Sequence, residues 1–250
     1  MTFTGNLHGK RALVTGSSQG LGRVMAMRLA AVGASVVINN KDDASAAQRV
    51  VDEVEAAGGM AEAHCADVAD ETAVAALFDN IGPVDILVNN ARIDPYFRSA
   101  DCTDAAWFEQ VLHVNLTSAY LCSTMFFEQA KARRWGRIVN ISSVRSYIAS
   151  EMNMIAYGVS KLGMHGLTRA FAGNGAQYGI TANTIAPGMI ATENIDLRLT
   201  AEMKASETAK IPLGRAASCD EIAEAVLFVV SNGYVTGETI NINGGMFYAP

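Results

Sequence analysis

The sequence predicts one α/β domain over residues 1–250, a doubly wound, parallel, seven-stranded sheet with helices on both faces. Three observations carry this. Short apolar runs of strand length alternate with longer stretches of helical periodicity. The short runs are apolar throughout, as in parallel strands covered on both sides. No low-complexity linker or internal repeat divides the chain. Right-handed crossovers then turn repeated strand–helix units into a doubly wound sheet.

The elements follow in order. Arg11–Thr15 reads as a buried strand, and Leu21–Val32 as a helix stopped by Gly33. Ser35–Asn39 is a second strand, followed by a helix over Ala44–Ala57 closed by Gly58 and Gly59. A short strand near Ala61–Cys65 leads into a helix near Glu71–Asn80, and Asp85–Asn89 is the next strand. A helix is expected after Asp104 and a long one from about Asn115 to Arg134. Arg137–Ile141 is the fifth strand, Asn153–Tyr178 a second long helix, and Thr181–Ile185 the sixth strand. A helix near Asp220–Ser231 and a strand near Thr239–Ile242 complete the pattern. Met189–Ile211 breaks the rhythm. It is expected to form a lid of short helices, opened by Met189, Ile190, Glu193, Asn194 and Ile195.

Composition excludes several function classes. Half of the residues are hydrophobic and 18% charged, so a sizeable core is available and wholesale disorder is not. The net charge of −6, with no basic run beyond Lys131–Arg134, argues against a nucleic-acid partner. No stretch approaches 18 apolar residues and Met1–Lys10 carries no apolar signal core, so no membrane association is expected and a cytoplasmic location follows by default. Cys65, Cys102, Cys122 and Cys219 form no CxxC pair. They are expected to be free thiols, mostly buried, and no metal site is expected.

The first strand runs into Thr15-Gly16-Ser17-Ser18-Gln19-Gly20-Leu21-Gly22, and a helix follows. Gly16 allows a tight turn, Gly20 lets backbone amides approach a pyrophosphate, and Gly22 lets the helix pack closely on the strand. The helix N-terminus then faces the phosphate charge. No Lys-Ser/Thr pair follows the last glycine, which excludes a phosphate loop of the nucleotide-hydrolase kind.

The G-x-x-x-G-x-G spacing resembles the first turn of the short-chain dehydrogenase/reductase family, and of its 3-oxoacyl reductases in particular. The resemblance runs through most of the chain: Asn89-Asn90-Ala91 after the fourth strand, Asn115 in the helix beyond, and Ser143 after the fifth strand. Tyr157-Gly158-Val159-Ser160-Lys161 supplies YxxxK, Pro187-Gly188 follows the sixth strand with Thr192 beyond, and Gly244-Gly245 closes the last. It implies a Rossmann domain and hydride transfer between a nicotinamide dinucleotide and a carbonyl/alcohol pair.

Tyr157 and Lys161 are four apart and share one helix face. A tyrosine titrates near ~10, and a neighbouring ammonium brings it toward neutral acid–base work. The resemblance implies that Tyr157 is the general acid/base. Ser143 would bond the substrate oxygen, being preferred over Ser142 because the second position of the family's motif is the catalytic one. Asn115 would hold a water that links Lys161 to solvent.

For the cofactor, the resemblance implies contacts from Gly16, Ser18, Gln19, Gly20 and Leu21 in the first turn, and from Asp67 and Val68 at the adenine. It further implies Asn89 on the adenosine side, with Ala91, Tyr157, Lys161, Pro187, Gly188, Ile190 and Thr192 completing the site. The position that reads the adenosine ribose is Asn40, followed by Lys41. An uncharged residue next to a cation favours NADP(H) over NAD(H), while Gln19, Asp42 and Asp43 weigh the other way.

The chain departs from the family in placing Arg92 where glycine follows Asn-Asn-Ala. Arg92 or Arg145 is expected to meet an anionic or strongly polar group of the substrate, with Asn153 and Met189 near it. The expected activity is a carbonyl or 3-oxoacyl reductase using NADPH. The alternatives are a sugar, polyol or other secondary-alcohol dehydrogenase using NAD and, more distantly, a non-catalytic dinucleotide sensor. The family's habit implies a homotetramer, or a homodimer, formed through the two long helices and the last helix and strand.

Overall fold

A computed structural model describes residues 6–93, 95–149, 151–192 and 200–248. The strands are β1 (Arg11–Val14), β2 (Ser35–Asn40), β3 (Met60–Cys65), β4 (Ile86–Asn89), β5 (Gly136–Ile141), β6 (Ile180–Pro187) and β7 (Thr239–Ile242). They form one seven-stranded sheet in the order β3-β2-β1-β4-β5-β6-β7, and every neighbouring pair is parallel. The described α-helices are α1 (Gly20–Ala31), α2 (Ala44–Ala56), α3 (Glu71–Ile81), α4 (Asp104–Leu112), α5 (Ser118–Arg133), α6 (Ile155–Gly175), α7 (Ala201–Ala209) and α8 (Cys219–Ser231).

The two faces of the sheet divide by strand parity. Ala12, Val14, Val36, Ile38, Ile86, Val88, Val139 and Ile141 join α1, α2 and α8 in one core cluster. The intervening Leu13, Val37, Leu87 and Ile138 join α3, α5 and α6 in the other. A two-residue side-chain period makes a continuous apolar run serve both layers at once. Burying a Leu, Ile or Val side chain contributes roughly 1.5–3 kcal/mol, so the central strands anchor the domain.

Several boundaries move for local reasons. The helix expected after Asp104 is α4, and the long one expected from Asn115 is α5, joined to α4 by a π-helical turn over His113–Thr117. The extra residue in such a turn re-aims its side chains. Asn115 is thereby turned toward the loop after β4. The second long helix is regular only over α6, with 3₁₀ turns at Met152–Met154 and Ala176–Tyr178. Of the cysteines, only Cys122 is buried, where burial pushes its thiol up to about 12. Cys65 is exposed and Cys102 and Cys219 are half-buried, because they sit on the edge strand, in a loop and at the first residue of α8. No described helix is long and apolar enough to cross a membrane.

The chain winds from β1 outward through β2 to β3, then returns to place β4 on the other side of β1. The strand order reverses between β1 and β4, and a crevice opens there beyond the carboxyl ends of the strands. In the expected lid, Ile190 pairs with Ala217 in an isolated bridge and α7 follows. Glu193, Asn194 and Ile195 lie outside the described residues.

Candidate active site

The crevice at the switch point is a cavity of about 600 Å³, within the usual range for small-ligand sites. Its first wall is the glycine-rich turn. Gly16 has φ +61°, a left-handed conformation that L side chains rarely adopt. A Cβ on Gly22 would fall on the Gly16 carbonyl oxygen and within 2.7 Å of Asn90 Nδ2. Ser18, Gln19, Gly20 and Leu21 line the cavity. The α1 N-terminus has no side-chain cap and no acid in its first turn. By contrast α2, α3, α4, α7 and α8 are capped by Asp43, Asp70, Thr103, Thr200 and Ser218. The free N–H groups and dipole of α1 therefore face the cavity and suit a phosphate.

The turn is held by asparagines and hydroxyls at the strand ends. Gly16 N–H donates to Asn39 Oδ1 at 3.2 Å, and Asn39 Nδ2 donates to the carbonyls of His64 and Ala66. Asn90 Nδ2 donates to the carbonyls of Thr15 and Gly16, while the Asn90 and Ala91 N–H groups donate to Thr15 Oγ1. The asparagines thus tie the ends of β2 and β4 to the loop. Asn39 and Asn90 both line the cavity. Sequence reasoning missed them, although each sits at the end of an apolar strand where a polar residue has no other reason to be.

The end of the cavity beyond β2 and β3 is formed by Asn40, Lys41, Asp42, Asp67 and Val68. Asn40 Nδ2 donates to Ser18 Oγ, and Asn40 Oδ1 accepts from the Asp42 and Asp43 N–H groups. Lys41 Nζ lies 2.9 Å from Asp67 Oδ2. The bond to Asp67 holds the exposed Lys41 above its ordinary pKa. Burial pushes the Asp67 carboxyl up, but Lys41 and the Ala69 N–H outweigh it and hold the group below its usual range.

At the other end Ser143, Tyr157 and Lys161 line one cavity wall with Ala91, Pro187, Gly188, Met189, Ile190 and Thr192. Lys161 is fully buried; its Nζ donates to Ile141 O at 2.7 Å and lies 5.7 Å from the Tyr157 ring centre. Burial foremost, and the Arg92 guanidinium second, lower Lys161 to about 7. The neighbouring serines face different ways. Ser142 Oγ donates to Lys161 O and meets His165 Nε2, each at 2.8 Å. Ser143 Oγ accepts from the Arg145 N–H at 3.2 Å, within the cavity wall. His165 was not singled out from sequence; burial lowers it to about 4.

Three expected site residues do not line the cavity. Asn89 shares the parity of Leu87, so its side chain enters the α5–α6 side and donates to Ser123 Oγ and Asn140 Oδ1. Asn153 is exposed on its 3₁₀ turn, and the next residue, Met154, faces the cavity instead. Asn115 is buried behind the wall, where its Oδ1 accepts the Ile93 N–H at 2.7 Å and its Nδ2 donates to Ser160 Oγ at 3.3 Å. Arg92 and Arg145 both line the cavity. Arg145 Nη2 lies 3.6 Å from Glu207 Oε2 on α7. Glu207 lies in the segment expected to form a lid and Met246 directly follows Gly244-Gly245, but neither residue was singled out from the sequence.

Fold and site together define a dinucleotide-binding α/β enzyme whose phosphate cradle and Tyr157–Lys161 pair share one cavity. The chain belongs to the short chain dehydrogenase family, whose sequence profile matches residues 10–202. It is an oxidoreductase of the alcohol–carbonyl kind. It is 37% identical over 251 residues to a 3-oxoacyl-[acyl-carrier-protein] reductase of Aquifex aeolicus, covering 96% of this chain and 98% of that protein. Among solved structures, a candidate gluconate dehydrogenase of Agrobacterium tumefaciens matches with a TM-score of 0.88 and 39% identity, covering 96% of this chain and 97% of that one. A candidate NAD(P)-dependent gluconate 5-dehydrogenase of Beutenbergia cavernae, with NADP bound, matches with a TM-score of 0.85 and 35% identity, covering 96% and 98%.

Proposed function

We propose that the chain reduces a ketone to an alcohol with NADPH, and that Tyr157 delivers the proton. The observation that carries this is the shared cavity: an uncapped helix N-terminus at one end, Tyr157 and Lys161 on one face of α6 at the other. The 3-oxoacyl group reduced by the Aquifex relative is the leading substrate class. The first-turn residues Gly16–Leu21 would hold the pyrophosphate, with Asn40 and Lys41 at a ribose 2′-phosphate and Asp67 and Val68 at the adenine. Ala91, Pro187, Gly188, Ile190 and Thr192 would flank the nicotinamide, which when bound supplies or accepts the hydride.

Ser143 holds the carbonyl oxygen in this reading. As the carbonyl carbon takes the hydride, the Tyr157 hydroxyl gives its proton to the developing alkoxide. Lys161, poised near neutrality, steadies the phenolate and returns a proton. Asn115 acts from behind the wall, fixing the loop at Ile93 against the helix that carries Tyr157 and Lys161. Met189 and Met246 line the cavity and would give the substrate adaptable apolar contacts.

A second reading is oxidation of a sugar acid or polyol. The two gluconate dehydrogenase structures and the cations Arg92 and Arg145 in the cavity favour it. We also propose a cytoplasmic homotetramer, or homodimer. Exposed Tyr120, Ile155, Val159 and Leu162 on α5 and α6, with Phe228 and Tyr234 beside the β7 edge, are the surfaces it would cover. Light scattering tests the assembly. A panel of 3-oxoacyl thioesters, simple ketones and sugar acids, followed by absorbance with NADPH and NADP⁺ and with the non-phosphorylated pair, tests the reaction. No turnover on any carbonyl or alcohol would refute it.

A further inference from the structure

The substrate end of the cavity is charged in a way the reaction itself does not require. Arg92 and Arg145 line it beside the catalytic Lys161, against one described carboxylate, Glu207. The acids Asp42 and Asp67 lie at the other end, after β2 and β3. This excess of positive charge sits in a chain whose net charge is −6. A cavity lined by one sign of charge concentrates ligands of the other.

The two arginines are placed differently. Arg92 follows Ala91 at the mouth of β4, and its guanidinium reaches near enough to Lys161 to act on its protonation. Arg145 is two residues beyond Ser143, and its own N–H donates to Ser143 Oγ. Arg145 and Ser143 thus share one turn of the cavity wall.

The pairing of Arg145 with Glu207 is loose, at 3.6 Å, and Glu207 also has Lys210 as a partner on α7. A carboxylate can take Arg145 from Glu207 without leaving Glu207 uncompensated. Arginine forks match carboxylates bidentately, and such charge-assisted bonds are stronger than neutral ones.

From this arrangement we infer that the substrate carries its own carboxylate, received by Arg92 and Arg145 at this end of the cavity. The substrate class is an oxo acid and its hydroxy acid, used as the free anion. This rests on the carbonyl–alcohol reading above and, within it, favours the free acid over the 3-oxoacyl thioester. A thioester would present no carboxylate to these arginines; its phosphates lie at the far end of a long arm.

The test uses the full-length enzyme loaded with NADPH, which cannot reduce an alcohol, so binding is read without turnover. The probes are 3-hydroxybutyrate against its methyl ester, and gluconate against sorbitol, titrated by calorimetry. At least one acid is expected to bind roughly 10- to 100-fold more tightly than its neutral counterpart, the range set by a charge-assisted hydrogen bond. Arg92→Gly should remove much of that preference, and the Arg92→Gly/Arg145→Ala double variant all of it, with NADPH affinity unchanged. Equal binding of acids and neutral counterparts overturns the inference, as does no measurable binding of either acid or a preference that survives in the double variant. A coenzyme A thioester of 3-oxobutyrate reduced more efficiently than the free acid also overturns it, while leaving ketone reduction standing. Failure to reduce any carbonyl would instead strike the broader reading.

Discussion

Lys161→Met separates the energetic cost of the site from its chemistry. Lys161 is fully buried, with one backbone acceptor, Ile141 O, at 2.7 Å. Burial and Arg92 lower its pKa from 10.5 to about 7. In the unfolded chain the lysine keeps its proton up to 10.5, whereas the folded chain releases it above about 7. Between those values the unfolded state binds more protons, so the stability of the wild type rises with pH across that window. Below about pH 7 the full cost of burying the ammonium is felt. The gap between the two values, at ~1.4 kcal/mol per pH unit, gives a ceiling of about 5 kcal/mol. Methionine removes the titration but leaves Ile141 O without its donor, a penalty of ~1–3 kcal/mol that does not change with pH. The prediction is therefore a slope. Stability of the dinucleotide-free protein relative to Lys161→Met should climb by up to ~1.4 kcal/mol per pH unit between pH 7.5 and 9.5. Urea unfolding of both proteins at equal concentration, at half-unit pH steps, reads it directly. Parallel curves for the two proteins would refute the claim that the buried ammonium carries the cost.

Gly22→Ala puts a methyl group against the Gly16 carbonyl and Ser17 Cα, both backbone atoms that cannot step aside cheaply. It should cost ~1–3 kcal/mol, lower the melting temperature by several degrees and weaken NADPH binding, whereas Gly173→Ala, with nothing within 4 Å, should be neutral or stabilising. The two serines divide fold from chemistry. Ser143→Ala is expected to lower kcat with little change in melting temperature; Ser142→Ala should instead destabilise by ~1–3 kcal/mol, since it strips His165 Nε2 of its partner. Asn40→Asp adds a negative charge where a 2′-phosphate would sit. At ~5 Å and an effective dielectric of roughly 20–60 this opposes the phosphate by ~1–3 kcal/mol, a roughly 10- to 100-fold loss of NADPH affinity with NADH little changed.

The parts of this account that were legible in the sequence are those with a local period. Apolar runs gave the strands because each had to fill two cores, as Ala12, Leu13 and Val14 do from one stretch of β1. The glycine turn was legible because only glycine tolerates φ +61° at Gly16 and the contact at Gly22. Strand parity would also have redirected Asn89 toward α5, since Leu87 two residues earlier faces that side. Asn115 was visible as a motif, but not the π-helical turn that aims it at Ile93. Glu207 and Met246 were legible only as parts of a segment, the expected lid and the end of the last strand; which residue of each faces the cavity is set by the packing of α7 and of the chain after β7.

Tyr157→Phe tests the central claim most directly. The ring stays, so NADPH binding followed by fluorescence should match the wild type, while kcat on whichever carbonyl the panel identifies should fall by roughly 10²- to 10⁴-fold, the worth of a positioned acid. Undiminished turnover by Tyr157→Phe would contradict the account, because no other described hydroxyl in the cavity is paired with a buried lysine on the same helix face.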